Sequence, residues 1–303
     1  MTRPDTLARI GEFGMIDRLR RLAYPGRAKV AIGDDTAVLP YTRTHDQLFT
    51  TDMLAEGIHF TGKTPLRPVG RKAINCSISD IAAMGGWPQF AVISLGVPGN
   101  TALADIRALY AGMNAAARKY GVGIVGGDTI KSSRLVINVA MTGLVRRGQL
   151  VRRAGAKPGH VILVTGRLGD SFSSGHHLRF EPRVKESQYL VKKFKPSAML
   201  DCSDGFLSDL THILEESKVG ARIYEDRIPL RRGATLRQAL SDGEDFELIF
   251  TLAKTKAEKL LAAKNPDGQF FPVGEITAKG LTFMAGKVSA LTLKHRGYDH
   301  LKT

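Results

Sequence analysis

Cysteine is nearly absent from this chain of 303 residues: only Cys76 and Cys202 occur, and no CxxC pair. That excludes a disulfide framework and a thiolate zinc site. Long apolar runs are missing too. Nothing approaches the ~18 residues of a membrane span, and the opening MTRPDTLARIGEF lacks the apolar core of a signal peptide. A soluble, cytoplasmic protein without a membrane partner is expected. One Trp and 7% aromatic residues leave little surface on which bases could stack. Acids are the minority charge, 29 Asp and Glu against 44 Lys and Arg, for a net charge of +15.

What is present is ordinary globular material. Hydrophobic residues at 43% and charged residues at 24% exclude global disorder, and the length suits two domains. The basic excess is local: twelve Lys and Arg stand against three acids between Arg146 and Lys195. Clustered cations neutralise phosphates, yet such a run reads first as a solvated face. No nucleic-acid partner is expected. A nucleic-acid module built on residues 146–200 is the alternative of a different class, and it would bind random duplex in a salt-sensitive way.

Strand-like runs rich in β-branched residues lie at 28–32, 48–51, 90–97 and 135–145. Between them the spacing of Ile74, Ile78 and Ile81 predicts a helix from Arg71 to Met84 that stops at Gly85-Gly86. A second helix follows Asn100-Thr101 as its cap and repeats Leu103, Ile106, Tyr110, Met113 and Ala117. A second α/β series starts at 160–166 and continues through 198–201, a helix near Phe206–Glu216, 221–224, 247–252 and a C-terminal strand pair. The Gly/Pro-containing basic stretch 146–159 reads as the boundary. The expectation is an α/β (α+β) protein with domains at 1–147 and 148–303.

Two motifs are decoys. Gly57-Ile-His-Phe-Thr-Gly62-Lys63-Thr64 fits GxxxxGK[ST], but Pro65 and Pro68 follow at once, and Pro68 removes an N–H from the first turns of the helix a P-loop needs. Gly121-Val-Gly123-Ile-Val-Gly126 fits GxGxxG, yet it follows a helix and runs into a strand, the reverse of the dinucleotide context.

The acids are more informative. Carboxylates sit beside Gly, Ser or Thr at the ends of apolar runs in Ile32-Gly-Asp34-Asp35, Phe49-Thr50-Thr51-Asp52, Ser77-Ile-Ser-Asp80, Gly126-Gly127-Asp128-Thr129 and Asp201-Cys-Ser203-Asp204-Gly205. Gly243-Glu244-Asp245-Phe-Glu247 resembles them less closely. Any one of these reads as a turn or cap. Several together, with little Lys or Arg adjacent in sequence, would repel one another unless cations neutralise them. Hard oxygen ligands suit Mg²⁺, which keeps waters and takes phosphate oxygens. The pattern points to a Mg²⁺-dependent nucleotide enzyme without a P-loop.

The segments GEFGMIDRL (11–19), IGDDTAVL (32–39), TTDMLAEGIHF (50–60), NCSISDIAAMGG (75–86), VGGDT (125–129), RRAGAKPGH (152–160), LDCSDGFLSDLTHI (200–213), GEDFELIFT (243–251), VGEI (273–276) and GYDH (297–300) resemble, in order and along nearly the whole chain, the thiamine-monophosphate kinase family. That family lies in the ATP-binding superfamily of aminoimidazole ribonucleotide synthetase. The resemblance implies an N-terminal sheet domain that dimerises, a C-terminal α/β domain that completes the site, and transfer of the γ-phosphoryl group of ATP to thiamine monophosphate. It implies several Mg²⁺ ions held by Asp35, Thr50, Thr51, Asp52, Asp80, Asp128, Asp201 and Asp204. It places Tyr110, Gly127, Asp128, Arg153 and Ser203 at the nucleotide, and His59, Glu244 and Tyr298 at the thiamine site. No general base is implied. Thr50 stands where Ser is usual, Cys202 interrupts the Asp201 segment, and Asp242 replaces a usual Gly beside Glu244. Read alone, His59 is a hydrogen-bonded structural histidine, Tyr298 a packing anchor, Asp170 a turn residue, and His176-His177 holds no metal. Within the superfamily, a selenophosphate synthetase, a hydrogenase maturation factor or a purine-pathway synthetase is the competing assignment, although Cys76 and Cys202 are not where the first two carry their functional cysteine.

Overall fold

The computed structural model describes residues 6–263, 269–284, 298, 300 and 301. The first half runs α1 (Leu7–Leu22), β1 (Ala37–Pro40), β2 (His45–Ala55), α2 (Leu66–Ala83), β3 (Trp87–Val97), α3 (Leu103–Tyr120), β4 (Gly123–Lys131) and β5 (Val136–Arg146). Its strands form one sheet in the order β1-β2-β5-β3-β4, antiparallel except for β3 with β4. Burial alternates strictly along β5, which is the period of a sheet covered on one face only. Helices α2 and α3 cover that face. The opposite face leaves Phe49, Met53, Phe90 and Val92 exposed.

Helix α2 is the axis of the molecule, with both of its flanks buried. It meets α3 at a crossing that two glycines permit. A Cβ added at Gly70 would lie 2.0 Å from the Leu109 carbonyl oxygen, and one at Gly112 would lie 1.8 Å from that of Arg67. On its other side α2 reaches the second half, against α4 and β7.

That half runs β6 (His160–Thr165), α4 (Val184–Lys193), β7 (Ala198–Asp201), α5 (Phe206–Ser217), β8 (Gly220–Tyr224), α6 (Leu236–Ser241), β9 (Leu248–Ala253), α7 (Lys254–Ala262), β10 (Phe270–Thr277) and β11 (Leu281–Met284). The sheet order is β11-β8-β10-β6-β9-β7. Strand β7 is buried along its whole length and β9 along all but its last residue, which is why both read as unbroken apolar runs. Mostly antiparallel sheets with helices packed on them make the class α+β. Among the described residues no helix is long and apolar enough to cross a membrane.

Several expectations need correction. The run 28–32 forms no strand, only isolated bridges at Val30 and Ile32. Helix α2 starts at Leu66, five residues early, because Pro68 falls in the first turn, where a backbone N–H has no acceptor within the helix. Helix α3 takes no side-chain cap from Asn100 or Thr101; Ala102 is its N-cap. The C-terminal strands do not pair with each other: β10 and β11 flank β8 from opposite sides.

The context of the GxxxxGKT stretch is therefore strand, loop, helix after all. Its backbone is nonetheless occupied. The amides of Gly57, Ile58, His59 and Thr64 donate to carbonyls of Phe60, Ala55, Ala55 and Thr61, so no free cradle of N–H groups faces a phosphate. The GxGxxG stretch behaves as expected, with Gly121 ending α3 in the left-handed region (φ 71°) and Gly123 opening β4.

Candidate active site

The last two turns of α2 run between the two sheets, and the Ser-Ile-Ser-Asp sequence there puts three polar side chains on different flanks. Ser77 Oγ donates to Asp52 of β2 at 2.5 Å. Ser79 Oγ donates to Asp201, at the end of β7, also at 2.5 Å. Asp80 accepts from Thr50 Oγ1 at 2.5 Å. Thr50 also bonds the backbone carbonyl of Asp35 at 3.3 Å. Four carboxylates from four distant segments are thus drawn into one place by a single helix.

These carboxylates are largely buried, and burial is the main cause of their displaced protonation. The Asp201 carboxyl is pushed up to about 8, first by burial and then by Asp35. Asp80 is held well above the carboxylate range by burial and by Asp52, Asp201 and Asp35. Asp52 rises to about 6, again chiefly by burial. Asp35 and Asp52 raise Asp80 and Asp201 further, so the charges sense one another. Asp35 carries a guanidinium: Arg153 donates to its Oδ1 from Nη2 at 2.7 Å and Nε at 3.2 Å. The Arg153 amide donates to Asp34 at 3.0 Å. The other oxygen of Asp35, Oδ2, is buried and has no protein partner.

Beside this cluster lies a small cleft of about 80 Å³ lined by His59, Ser203, Asp204, Asp242, Glu244 and Tyr298 among others. His59 Nδ1 accepts from the Ala55 amide at 3.1 Å, which fixes the tautomer with its proton on Nε2. Its pKa falls to about 4 by burial and the nearby Lys72. The histidine is therefore both a structural cap and a cleft wall. The Tyr298 amide donates to the Asp204 carbonyl at 3.1 Å, and the Tyr298 ring stands edge-on to His300 at 4.7 Å. Asp242 closes the end of α6 with helical backbone angles, so the residue replacing Gly causes no backbone strain there. The strain lies next door, in left-handed backbone at Glu244 (φ 61°) and Phe246 (φ 52°), whereas Gly243 (φ 74°) takes that conformation without cost. A larger cavity, of about 590 Å³, lies apart from all of these groups, between Trp87, Arg146 and Lys192.

The structure gathers Asp35, Thr50, Asp52, Asp80 and Asp201, and it puts His59, Ser203, Asp204, Glu244 and Tyr298 around one cleft. Ser203 thus lies with the residues assigned to the acceptor. Arg153 joins the first group through Asp35, and the other candidates stay apart. Thr51 is exposed and accepts from Asn138 at 2.9 Å. Asp128 is exposed on β4, its Oδ1 taking the Thr129 amide at 2.8 Å. Gly127 packs so closely on β3 that a Cβ would lie 1.8 Å from the Ile93 carbonyl oxygen. Tyr110 packs beside the core. Of the GYDH segment, Gly297 and Asp299 lie outside the described residues.

Sequence reading places Arg153 at the nucleotide, not on Asp35, and misses Lys72 altogether. The acids have few basic neighbours in sequence, but Arg153 reaches Asp35 and Lys72 reaches Glu244 at 2.5 Å. The basic stretch is also less solvated than its composition suggests: Arg147 pairs with buried Asp46 at 3.2 Å, and Arg183 pairs with buried Glu247. Asp209, on α5, was missed as well, although its LSDL setting was visible; it is buried and accepts the Asp204 amide at 3.1 Å.

The donor set is all oxygen, which suits a hard divalent cation. The buried, unpartnered Asp35 Oδ2 is an acceptor that no protein group satisfies. Among the described residues no three acidic, His or Cys groups stand in ligating array. The oxygen chemistry of the donors and the unpartnered Asp35 Oδ2 nonetheless fit Mg²⁺.

Two family models match the chain: AIR synthase related protein, N-terminal domain, over residues 33–145, and AIR synthase related protein, C-terminal domain, over residues 157–286. The thiamine-monophosphate kinase of Bacillus subtilis (strain 168) is 33% identical over 96% of this chain and 99% of its own length. That of Rhodopirellula baltica is 37% identical, over 75% of this chain and 77% of its own. The solved structure of AaThiL complexed with AMPPCP and TMP is similar at a TM-score of 0.85 and 29% identity, covering 99% of this chain and all of that one.

Proposed function

This chain belongs to the thiamine-monophosphate kinase family of AIR synthase related proteins, and from that membership we propose that it phosphorylates thiamine monophosphate to thiamine diphosphate with ATP. The observation that carries the reading is the convergence of Asp35, Asp52, Asp80 and Asp201 around the end of α2, beside a cleft walled by His59, Glu244 and Tyr298. Both domains of this reading, 1–147 and 148–303, contribute to the site.

The acceptor is a phosphate monoester with a second pKa near ~6, so at neutral pH it is already a nucleophilic dianion. No residue need remove a proton. The task for the protein is to bring two polyanions together and hold them in line, as in phosphoryl transfer generally. Asp35, Asp52, Asp80 and Asp201, with Thr50, Thr51, Asp128 and Asp204, would hold Mg²⁺. The cation would supply neutralisation of charge on the transferred phosphoryl oxygens. Gly127, Asp128, Tyr110, Arg153 and Ser203 are assigned to the nucleotide. For Arg153 that role requires its guanidinium to exchange Asp35 for phosphate, an exchange its fork geometry suits. His59, Glu244 and Tyr298 would receive the thiamine moiety, with the Tyr298 ring as a stacking surface.

The uncovered sheet face with Phe49, Met53, Phe90 and Val92 supports a homodimer through the N-terminal sheets. A coupled ATPase assay over a panel of phosphorylated acceptors tests the activity. Stimulation by thiamine monophosphate, with thiamine diphosphate as product and no phosphorylated enzyme, is the expected result. Stimulation by another acceptor alone would refute the reading, and an isolable phosphoenzyme formed from ATP would refute direct transfer.

A further inference from the structure

Lys72 is fully buried on α2. Its ammonium stands 2.5 Å from Glu244 Oε2, 3.2 Å from the His59 carbonyl oxygen and 3.2 Å from His177 Nδ1. An ammonium has three N–H donors and no acceptor; the His59 carbonyl and His177 Nδ1 take hydrogen bonds from it, and Glu244 meets it as an ion pair. They come from three separate segments: the loop after β2, the turn before α4, and the strained Gly243–Phe246 loop. His177 is itself fixed by stacking on Phe172 at 4.1 Å, and that ring lies 5.8 Å from the ammonium. Burial and the adjacent Lys72 lower the His177 pKa to about 4, and since an ammonium can only donate, Nδ1 of the neutral ring is the acceptor facing it. A buried charge is tolerated only with such partners.

Glu244 needs this support. Its backbone is left-handed, a conformation that a non-glycine residue keeps only where the surroundings impose it. Its amide is tied to the Ser203 carbonyl at 2.7 Å, and its side chain, which lines the cleft, is paired with Lys72.

We infer that Lys72 is a positioning residue for the phosphorylation: it acts through Glu244, pinning that carboxylate against the acceptor cleft while tying the two domains together around it. The inference rests on the thiamine-monophosphate kinase reading, since it needs the cleft to hold the acceptor. It assigns Lys72 to the acceptor and leaves ATP to other residues.

The test is steady-state kinetics with ATP, Mg²⁺ and thiamine monophosphate on wild type, Lys72→Met, Glu244→Gln and the double variant, with melting temperatures alongside. Lys72→Met is expected to raise the KM for thiamine monophosphate at least tenfold and to leave the KM for ATP within twofold. The double variant is expected to match Glu244→Gln within twofold, because a residue that acts only through Glu244 has nothing left to position. An unchanged acceptor KM, an equal rise in both KM values, or additive effects would overturn the inference. If Lys72→Met does not fold, the double variant, which removes both charges, is compared with Glu244→Gln: equal acceptor KM supports the inference and a further rise overturns it. Wild type without thiamine-monophosphate turnover would overturn the parent reading and this one together; turnover with ATP-directed effects would overturn this one alone.

Discussion

The crossing of α2 and α3 allows two opposing effects to be separated by sign. Replacing Gly112 by Ala should help an isolated helix by about 0.8–1 kcal/mol, since glycine is the poorer helix former. In this fold the new Cβ would lie 1.8 Å from the Arg67 carbonyl oxygen and 3.0 Å from the Arg71 amide. Ordinary contact is ~3.4 Å or more, so the helices must separate by over an ångström at their tightest point. Overpacking of this kind costs about 1–3 kcal/mol, more where backbone rather than a side chain must yield. The net effect should therefore be destabilising. It should also be functional, because α2 carries Lys72, Ser77, Ser79 and Asp80, and a displacement of about 1 Å in a phosphoryl-transfer site can cost about 10²-fold. The assay is thermal melting together with kcat/KM, using Gly14→Ala on α1 as the control; there the nearest atom is the Ile10 Cβ at 3.3 Å, a tight but side-chain contact. A Gly112→Ala protein as stable as wild type and fully active would refute the close-crossing argument.

Asp80→Asn should keep the fold, because the amide can still accept from Thr50, while lowering turnover by two orders of magnitude or more; a near-wild-type rate with Mg²⁺ would sink the metal-ligand assignment. Arg183→Met strands the buried Glu247 carboxylate and should cost about 3–5 kcal/mol by chemical denaturation, most of it restored by adding Glu247→Gln; no restoration would mean the pair is not what fails. His212, packed 4.8 Å from the Phe13 ring, has its pKa lowered to about 4 by burial and Arg153. Between pH 6.5 and 4 the unfolded chain therefore binds more protons at this site, and acid destabilises the fold. Relative to His212→Gln, wild type should lose up to about 1.4 kcal/mol per pH unit across that window; parallel stability curves would refute the shift.

Legibility in the sequence tracked distance along the chain. Helices α2, α3 and α5 and strands β3 and β5 are readable because their periodicity is local, and β7 and β9 because each is an unbroken apolar run. The start of α2 is hidden because its first turn, which holds Pro68, lies ahead of the Ile74-Ile78-Ile81 spacing, and the start of α3 because Asn100 and Thr101 look like caps but do not cap. The run 28–32 has strand composition but finds only isolated pairing. Among the acids, composition marked Asp35, Asp52, Asp80, Asp128 and Asp201 alike, and folding separated them: four are drawn together around one helix end and Asp128 stays exposed on an edge strand.

By itself, then, the sequence determined the class of chemistry. Oxygen donors at strand ends, two unused cysteines and order-preserving motifs are properties of residue type and spacing, and they survive any arrangement in space. Which charges face one another was decided only by tertiary structure. Arg153 meets Asp35 across 118 residues, Ser79 meets Asp201 across 122, and Lys72 enters the core to hold Glu244. No local pattern encodes such pairs, because a buried charge is tolerated only when the whole fold delivers its partner.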